Sequence, residues 1–156
     1  MRTITLIILH CSATRADRHY SMEQCRNDHI HHNGWSDIGY HYYIERDGTL
    51  KKGRPEATKG AHVHNHNAHS IGVCYEGGLD SNGLPCDTRT DAQKRTLWKL
   101  LCDLHNRYPR AIILGHRDLS PDRNGDGKIT RNEWLKECPC FDATTDYATM
   151  QPEGVW

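Results

Sequence analysis

Two short apolar segments of the chain lead to histidines. Residues 3–10 and 111–115 are rich in isoleucine and leucine, and they lead to His10 and His116. Continuous apolar runs of this length, without polar alternation, are typical of strands buried on both faces of a sheet. We therefore predict that both segments are strands, each placing a histidine at or just beyond its carboxyl end.

A different spacing predicts two helices. Apolar residues recur at intervals of three and four across residues 90–108, which indicates an amphipathic helix. A hydroxyl residue followed three positions later by glutamine is typical of a helix start, and Ser21 and Thr90 both fit this rule. We expect the first helix over residues 21–32. The apolar stripe of the second helix consists of Leu97, Leu100, Leu101, Leu104 and Tyr108.

The segments between these helices read as further strands. Residues 39–45 and 49–51 flank Asp47-Gly48, a turn pair that favours a β-hairpin. Residues 70–75 form another strand. Strands that alternate with helices in this way predict one α/β domain over residues 1–156, with a central mixed β-sheet flanked by helices.

Composition and charge restrict the classes of partner that we expect. The 156 residues contain 20 Lys+Arg and 20 Asp+Glu, so the balance argues against a nucleic-acid or anionic-membrane surface. No apolar run has the length of a membrane span, and the amino terminus lacks the features of a secretory signal. We expect cytoplasmic synthesis and a monomer. Twelve histidines and an odd count of seven cysteines favour metal or acid–base chemistry over a complete disulfide framework.

The strand-terminal histidines predict a metal site. Neighbouring strands that end at one edge of a sheet would bring His10 and His116 together, and the segment Cys138-Pro139-Cys140 supplies a thiol. Two imidazoles and one thiolate leave a fourth position open, which is typical of catalytic zinc. The residues alone leave either cysteine as the ligand, and a disulfide between them is an alternative. The histidine-rich tract 62–69 is interpreted as a polar loop at the rim of the site, and binding of a second divalent ion is the alternative.

Six segments, in this order along the chain, resemble one known family. They are residues 8–14, 34–42, 60–62, 67–73, 115–118 and 136–142. Together they resemble the zinc-dependent N-acetylmuramoyl-L-alanine amidases of the phage-lysozyme and peptidoglycan-recognition-protein type. The resemblance implies an open zinc-containing groove. It also implies hydrolysis of the amide bond between N-acetylmuramic acid and L-alanine in peptidoglycan or muropeptides.

The resemblance also assigns residues to roles. It aligns the cysteine that directly precedes proline, so it implies zinc ligation by His10, His116 and Cys138. Position 140 departs from the family, where a small polar residue is more usual. Tyr40 and Lys136 correspond to catalytic side chains, and His62 corresponds to a substrate-contacting position.

One insertion departs from the family pattern. Residues 122–133 match the sequence rule of a calcium-binding loop at each position, although Pro121 argues against a complete EF-hand. A polar turn without an ion is the alternative. We predict an exiting helix over 130–137, so that calcium would order the segment that carries Cys138. The expected calcium ligands are Asp122, Asn124, Asp126, the Lys128 carbonyl, Thr130 through water, and Glu133.

Two other functions remain open at this point. A non-catalytic peptidoglycan-binding module would need no metal, but the combination of Cys138, Tyr40 and Lys136 argues against it. A cytosolic amidase that recycles muropeptides would resemble relatives that usually have aspartate in place of Cys138. The absence of a visible signal peptide fits a phage-type release to the cell wall.

Overall fold

The strands form one five-stranded sheet and one two-stranded sheet. A computed structural model describes residues 1–154; Val155 and Trp156, at the end of the predicted domain, lie outside the described residues. The strand order of the larger sheet is β4-β3-β5-β1-β7, and β2 pairs with β6. The strands are β1 (Leu6–Cys11), β2 (Thr14–Arg15), β3 (Tyr42–Ile44), β4 (Leu50–Lys52), β5 (Ser70–Tyr75), β6 (Gly78–Leu79) and β7 (Ile112–Gly115). The helices are α1 (Met22–His31), α2 (Asp91–Arg107) and α3 (Ala143–Asp146).

The larger sheet is mixed, as predicted. Strands β3, β5, β1 and β7 run parallel, and only β4 pairs antiparallel, through its hairpin with β3. Ile8 of β1 pairs with Gly72 of β5 on one side and with Leu114 of β7 on the other. Because β1 lies inside the sheet, its continuous apolar sequence is buried on both faces. The single mixed α/β architecture predicted from the sequence is confirmed.

The two longer helices cover opposite faces of the sheet. The leucines of α2 pack in one cluster with Ile7 and Leu9 of β1, while Cys25 of α1 packs against Tyr43 on the other face. Both helices begin with the predicted capping boxes, in which Ser21 and Thr90 accept hydrogen bonds from backbone N–H groups three residues later. Strand alternation therefore places His10, next to Leu9, on the face of the sheet that α1 covers.

The prediction of an exiting helix over 130–137 is wrong. Only a 3₁₀ turn forms at Arg131–Glu133, and Trp134 is already extended, with φ −63° and ψ 126°. Beyond that turn the chain folds back, because the backbone N–H of Leu135 donates to Ser120 Oγ at 3.1 Å. This return path brings the following residues to the carboxyl edge of β1. The β2–β6 pair and α3 were not predicted. No helix within residues 1–154 is long and apolar enough to cross a membrane.

Candidate metal centre

His10 and His116 meet at the carboxyl edge of the sheet. Leu9 of β1 pairs with Gly115 of β7, so the next residue of each chain segment emerges at the same level. The centroids of the two imidazole rings are 4.8 Å apart. His10 is 2% exposed. The parallel pairing of two buried strands thus fixes two nitrogen ligands of a candidate metal site.

Cys138 brings a sulfur to the same point. Its Sγ lies 3.9 Å from Nδ1 of His10, and one donor atom from each of the three residues lies within 4.8 Å of the others. Within residues 1–154 this is the one such group of three His, Cys, Asp or Glu side chains. The adjacent Pro139 packs where a side chain at Gly115 would stand, since a Cβ there would lie 2.6 Å from Pro139 Cδ.

Cys140 occupies a different environment from Cys138. Its sulfur lies 4.0 Å from Cys11 Sγ and 3.3 Å from the carbonyl oxygen of Gly78, on the side of the chain away from the imidazoles. The Cys138 sulfur instead accepts a hydrogen bond from the backbone N–H of Cys11 at 3.2 Å. All seven cysteines are free thiols. The geometry therefore favours Cys138 over Cys140 as the third ligand.

The imidazoles are held in the neutral form that a metal ion requires. Burial lowers the pKa of His10 well below its ordinary value, and nearby His62 and His116 add to this effect. Burial, followed by the charge of Lys136, lowers the pKa of His116 to about 4. Neither ring therefore needs to lose a proton at neutral pH before it can bind a metal.

Tyr40 and Lys136 flank the three donors. The Tyr40 ring centroid lies 5.1 Å from that of His10. Burial raises the pKa of the Tyr40 hydroxyl well above its ordinary value, as do the thiols of Cys74 and Cys138, so the hydroxyl remains a hydrogen-bond donor. Lys136 is exposed and lines a cleft of about 230 Å³ together with His116.

A second cleft, of about 260 Å³, lies on the far side of Val63 and His64, which line both clefts. Trp35 and His62 line this second cleft. Burial, followed by the charge of His41, lowers the pKa of His62 to about 3. The two clefts adjoin at Val63 and His64, and of the three donor residues only His116 lines either of them.

His62 is also tied directly to a candidate ligand. Its Nδ1 lies 2.9 Å from Nε2 of His10, and its Nε2 lies 3.1 Å from Ser70 Oγ. Ser70 was not among the predicted site residues. The available signal was its hydroxyl at the start of β5, a strand buried along its whole length.

The predicted calcium loop is stabilised by its own backbone. The Asp122 carboxylate accepts hydrogen bonds from the N–H groups of Gly125 and Gly127, both at 2.8 Å. The Glu133 carboxylate accepts from the N–H groups of Asn124 and Thr130. The acidic side chains of this loop are not among the donor groups that converge within residues 1–154. Calcium binding stays a prediction.

Comparisons with known proteins agree with this architecture. Residues 1–133 match the sequence model of the family described as N-acetylmuramoyl-L-alanine amidase. The endolysin of Klebsiella phage KP32 is 38% identical over 136 residues, which cover 87% of this chain and 80% of that protein. An uncharacterized protein of Haemophilus influenzae is 52% identical over 96 residues, which cover 62% of this chain and 83% of that protein.

Solved structures share the fold. The endolysin amidase LysCS from Clostridium intestinale superposes with a TM-score of 0.68 at 26% identity, covering 90% of this chain and 78% of that one. Bumblebee PGRP-SA gives a TM-score of 0.70 at 19% identity, covering 94% of this chain and 81% of that one, which shows a common fold. The family match ends before Lys136 and Cys138, so the roles of these two residues stay predictions.

Proposed function

Because the chain belongs to the N-acetylmuramoyl-L-alanine amidase family, we propose that it cleaves its substrate with a zinc ion bound to His10, His116 and Cys138. The reaction is hydrolysis of the amide bond between N-acetylmuramic acid and L-alanine in peptidoglycan, as the family and the endolysin relatives indicate. The observation that carries the zinc proposal is the convergence of two imidazoles and one thiol within 4.8 Å.

The donor set fits zinc. Two nitrogen ligands and one sulfur ligand leave a fourth tetrahedral position open, as catalytic zinc sites do. The strands hold both imidazoles, and the Cys11 N–H fixes the Cys138 sulfur. Zinc bound there would polarise the scissile carbonyl and lower the pKa of a bound water to about 7.

Lys136 and Tyr40 complete the proposed chemistry. Amide hydrolysis develops negative charge on the carbonyl oxygen, and the Lys136 ammonium in the cleft beside His116 would stabilise that charge. The Tyr40 hydroxyl, held protonated by burial, would donate a hydrogen bond to a reacting oxygen. His62, on the wall of the second cleft, would contact the substrate with its ring.

The two alternative functions, a non-catalytic binding module and a muropeptide-recycling amidase, have less support. A non-catalytic binding module would not need the complete set of His10, His116 and Cys138, and a muropeptide-recycling enzyme is disfavoured by the cysteine ligand. The phage endolysin relatives favour lysis of the bacterial wall, with synthesis in the cytoplasm and later release. A calcium ion in residues 122–133 would stabilise the segment that leads to Cys138.

Zinc content tests the ligand assignment. Purified wild-type protein should contain one equivalent of zinc by inductively coupled plasma mass spectrometry. Cys138→Ser should lose most of it, together with amidase activity. Cys140→Ser, two residues away, is the matched control and should retain both. Full zinc occupancy in Cys138→Ser, or its loss in Cys140→Ser, would contradict the assignment.

A further inference from the structure

We propose that His62 and Ser70 form a hydrogen-bond relay that positions His10 as a zinc ligand through its Nδ1 atom. This inference rests on the proposed zinc site. It gives His62 a role in metal binding, in addition to any contact with substrate. His62 acts through His10, so it is a positioning residue.

The direction of the relay follows from where the atoms of His10 point. Nδ1 of His10 faces the sulfur of Cys138 at 3.9 Å, whereas Nε2 faces Nδ1 of His62 at 2.9 Å. A metal-bound ring nitrogen carries no proton, so the single proton of a neutral His10 resides on Nε2. Nε2–H therefore donates its hydrogen bond to His62.

The same reasoning determines which nitrogen of the His62 ring carries the proton. Since Nδ1 of His62 accepts a hydrogen bond, it carries no proton, and the proton of the neutral His62 ring resides on Nε2. That N–H is 3.1 Å from Ser70 Oγ and donates to it. The chain of donors runs from His10 through His62 to Ser70. Metal-binding histidines commonly use the second ring nitrogen in this way, which fixes the ring orientation.

The fold provides a slot for the His62 ring. A Cβ on Gly72 would lie 2.7 Å from Cδ2 and Cγ of His62, and a Cβ on Gly60 would lie 2.6 Å from Cδ2. Any larger residue at either position would displace the ring. The backbone N–H of His62 donates to Asn67 Oδ1 at 2.8 Å, which anchors the residue from outside the slot. The ring therefore has both nitrogens engaged and little freedom to rotate.

Nuclear magnetic resonance of the ring nitrogens tests the relay without any substitution. In zinc-loaded wild-type protein, long-range ¹H–¹⁵N spectra should show His10 protonated on Nε2 and metal-bound on Nδ1. The same spectra should show His62 protonated on Nε2 only. Zinc bound to Nε2 of His10, or a proton on Nδ1 of His62, would overturn the proposal.

Zinc affinity of two His62 variants provides the second readout. His62→Leu keeps an apolar volume but removes the acceptor, and loss of a hydrogen-bond partner of a metal-binding histidine weakens metal binding by about 10–100-fold. His62→Asn can place Oδ1 near the former Nδ1 position, so it should restore most of the affinity. Competition with a chromophoric chelator measures the zinc affinity of both variants. Circular dichroism of the zinc-free proteins is the control for folding.

The outcomes separate this inference from the zinc proposal. If the wild-type protein binds zinc and His62→Leu binds it with the same affinity, the role of His62 is overturned and the zinc proposal stands. Folded His62→Asn that binds zinc as weakly as His62→Leu also overturns the relay. A wild-type protein that binds no zinc overturns both proposals.

Discussion

The sulfur of Cys138 lies 3.9 Å from Nδ1 of His10, although the two residues are 128 positions apart in the sequence. His10 is placed by a buried inner strand of the sheet, whereas Cys138 arrives on a segment without regular secondary structure. The site therefore combines ligands from a rigid sheet edge with a ligand from an irregular return path.

Lys136 should be needed for catalysis and not for metal binding. Lys136→Met removes the ammonium group from the cleft beside His116, and the loss of one such electrostatic contact typically lowers kcat by about 10²–10³-fold. Zinc content should remain at the wild-type level. Lys99→Met, on the exposed face of α2, is the control for loss of a lysine charge. A kcat for Lys136→Met equal to that of the control would remove Lys136 from the mechanism.

Tyr40→Phe should also separate turnover from metal binding. The substitution removes only the hydroxyl oxygen, and the ring contact with His10 is retained. We expect kcat to fall about 10²-fold, as for other hydrogen-bond donors to reacting oxygens, with zinc affinity unchanged. Steady-state hydrolysis of a soluble muropeptide measures the first quantity and chelator competition the second. A variant that loses zinc but not turnover per bound zinc would show that Tyr40 is structural.

Stability should depend on Glu56, which is not one of the residues of the candidate metal centre. Burial alone would raise the pKa of the Glu56 carboxyl, but hydrogen bonds from Arg107, Tyr108 and Tyr42 outweigh it and lower the pKa to about 2. A carboxylate with a lowered pKa contributes stability above its unfolded value of 4.5, and this contribution is lost as pH falls towards 2. Because Arg107 is exposed and solvent screens its charge, Glu56→Gln should cost about 1–2 kcal/mol at pH 7.

Urea unfolding of the chelated protein at several pH values checks the effect of Glu56. The difference in free energy of unfolding between wild type and Glu56→Gln should be constant above pH 4.5 and shrink below it. A difference that stays constant down to pH 2 would contradict a lowered pKa of Glu56 in the folded protein.

Calcium should stabilise the protein if residues 122–133 bind it. At a concentration 100 times the dissociation constant, a bound ion stabilises by about 2.7 kcal/mol, which corresponds to a rise in Tm of roughly 5–10 °C. Calcium added to zinc-loaded protein should raise Tm more than magnesium does. Glu133→Gln should abolish the rise, and Glu153→Gln, an exposed glutamate outside the loop, should keep it. If calcium does not change Tm, the loop is a polar turn that binds no calcium ion.

Local signals predicted most of the sheet and the longer helices. Strand β5 and the capped starts of α1 and α2 follow from residues that are close together in the sequence. The exiting helix did not form, although the Thr130 N–H donates to the Glu133 carboxylate at 2.9 Å, as at a capped helix start. Tertiary contacts end that helix early: Ser120 Oγ binds the Leu135 N–H, and Arg117 stacks on the Trp134 ring at 3.8 Å.

From the residues alone, the site could be predicted only as far as strand topology reaches, whereas the choice of Cys138 and the roles of Tyr40 and Lys136 came from the family resemblance. Adjacent parallel strands explain why His10 and His116 meet, and this follows from the apolar runs. Spacing alone could not separate Cys138 from Cys140, because the two sulfurs differ in the direction that the chain takes around Pro139. The contact between His62 and Ser70 depends on a slot formed by residues distant in sequence, and no local pattern indicates it.

Mass spectrometry of digested peptidoglycan tests the account most directly. Purified cell walls are incubated with zinc-loaded protein, with chelated protein, and with chelated protein after zinc is restored. We predict release of stem peptides with a free L-alanine amino terminus and intact glycan strands, lost on chelation and recovered with zinc. Cleavage confined to the glycan or to peptide cross-links, or undiminished amide cleavage by zinc-free protein, would contradict a zinc amidase built on His10, His116 and Cys138.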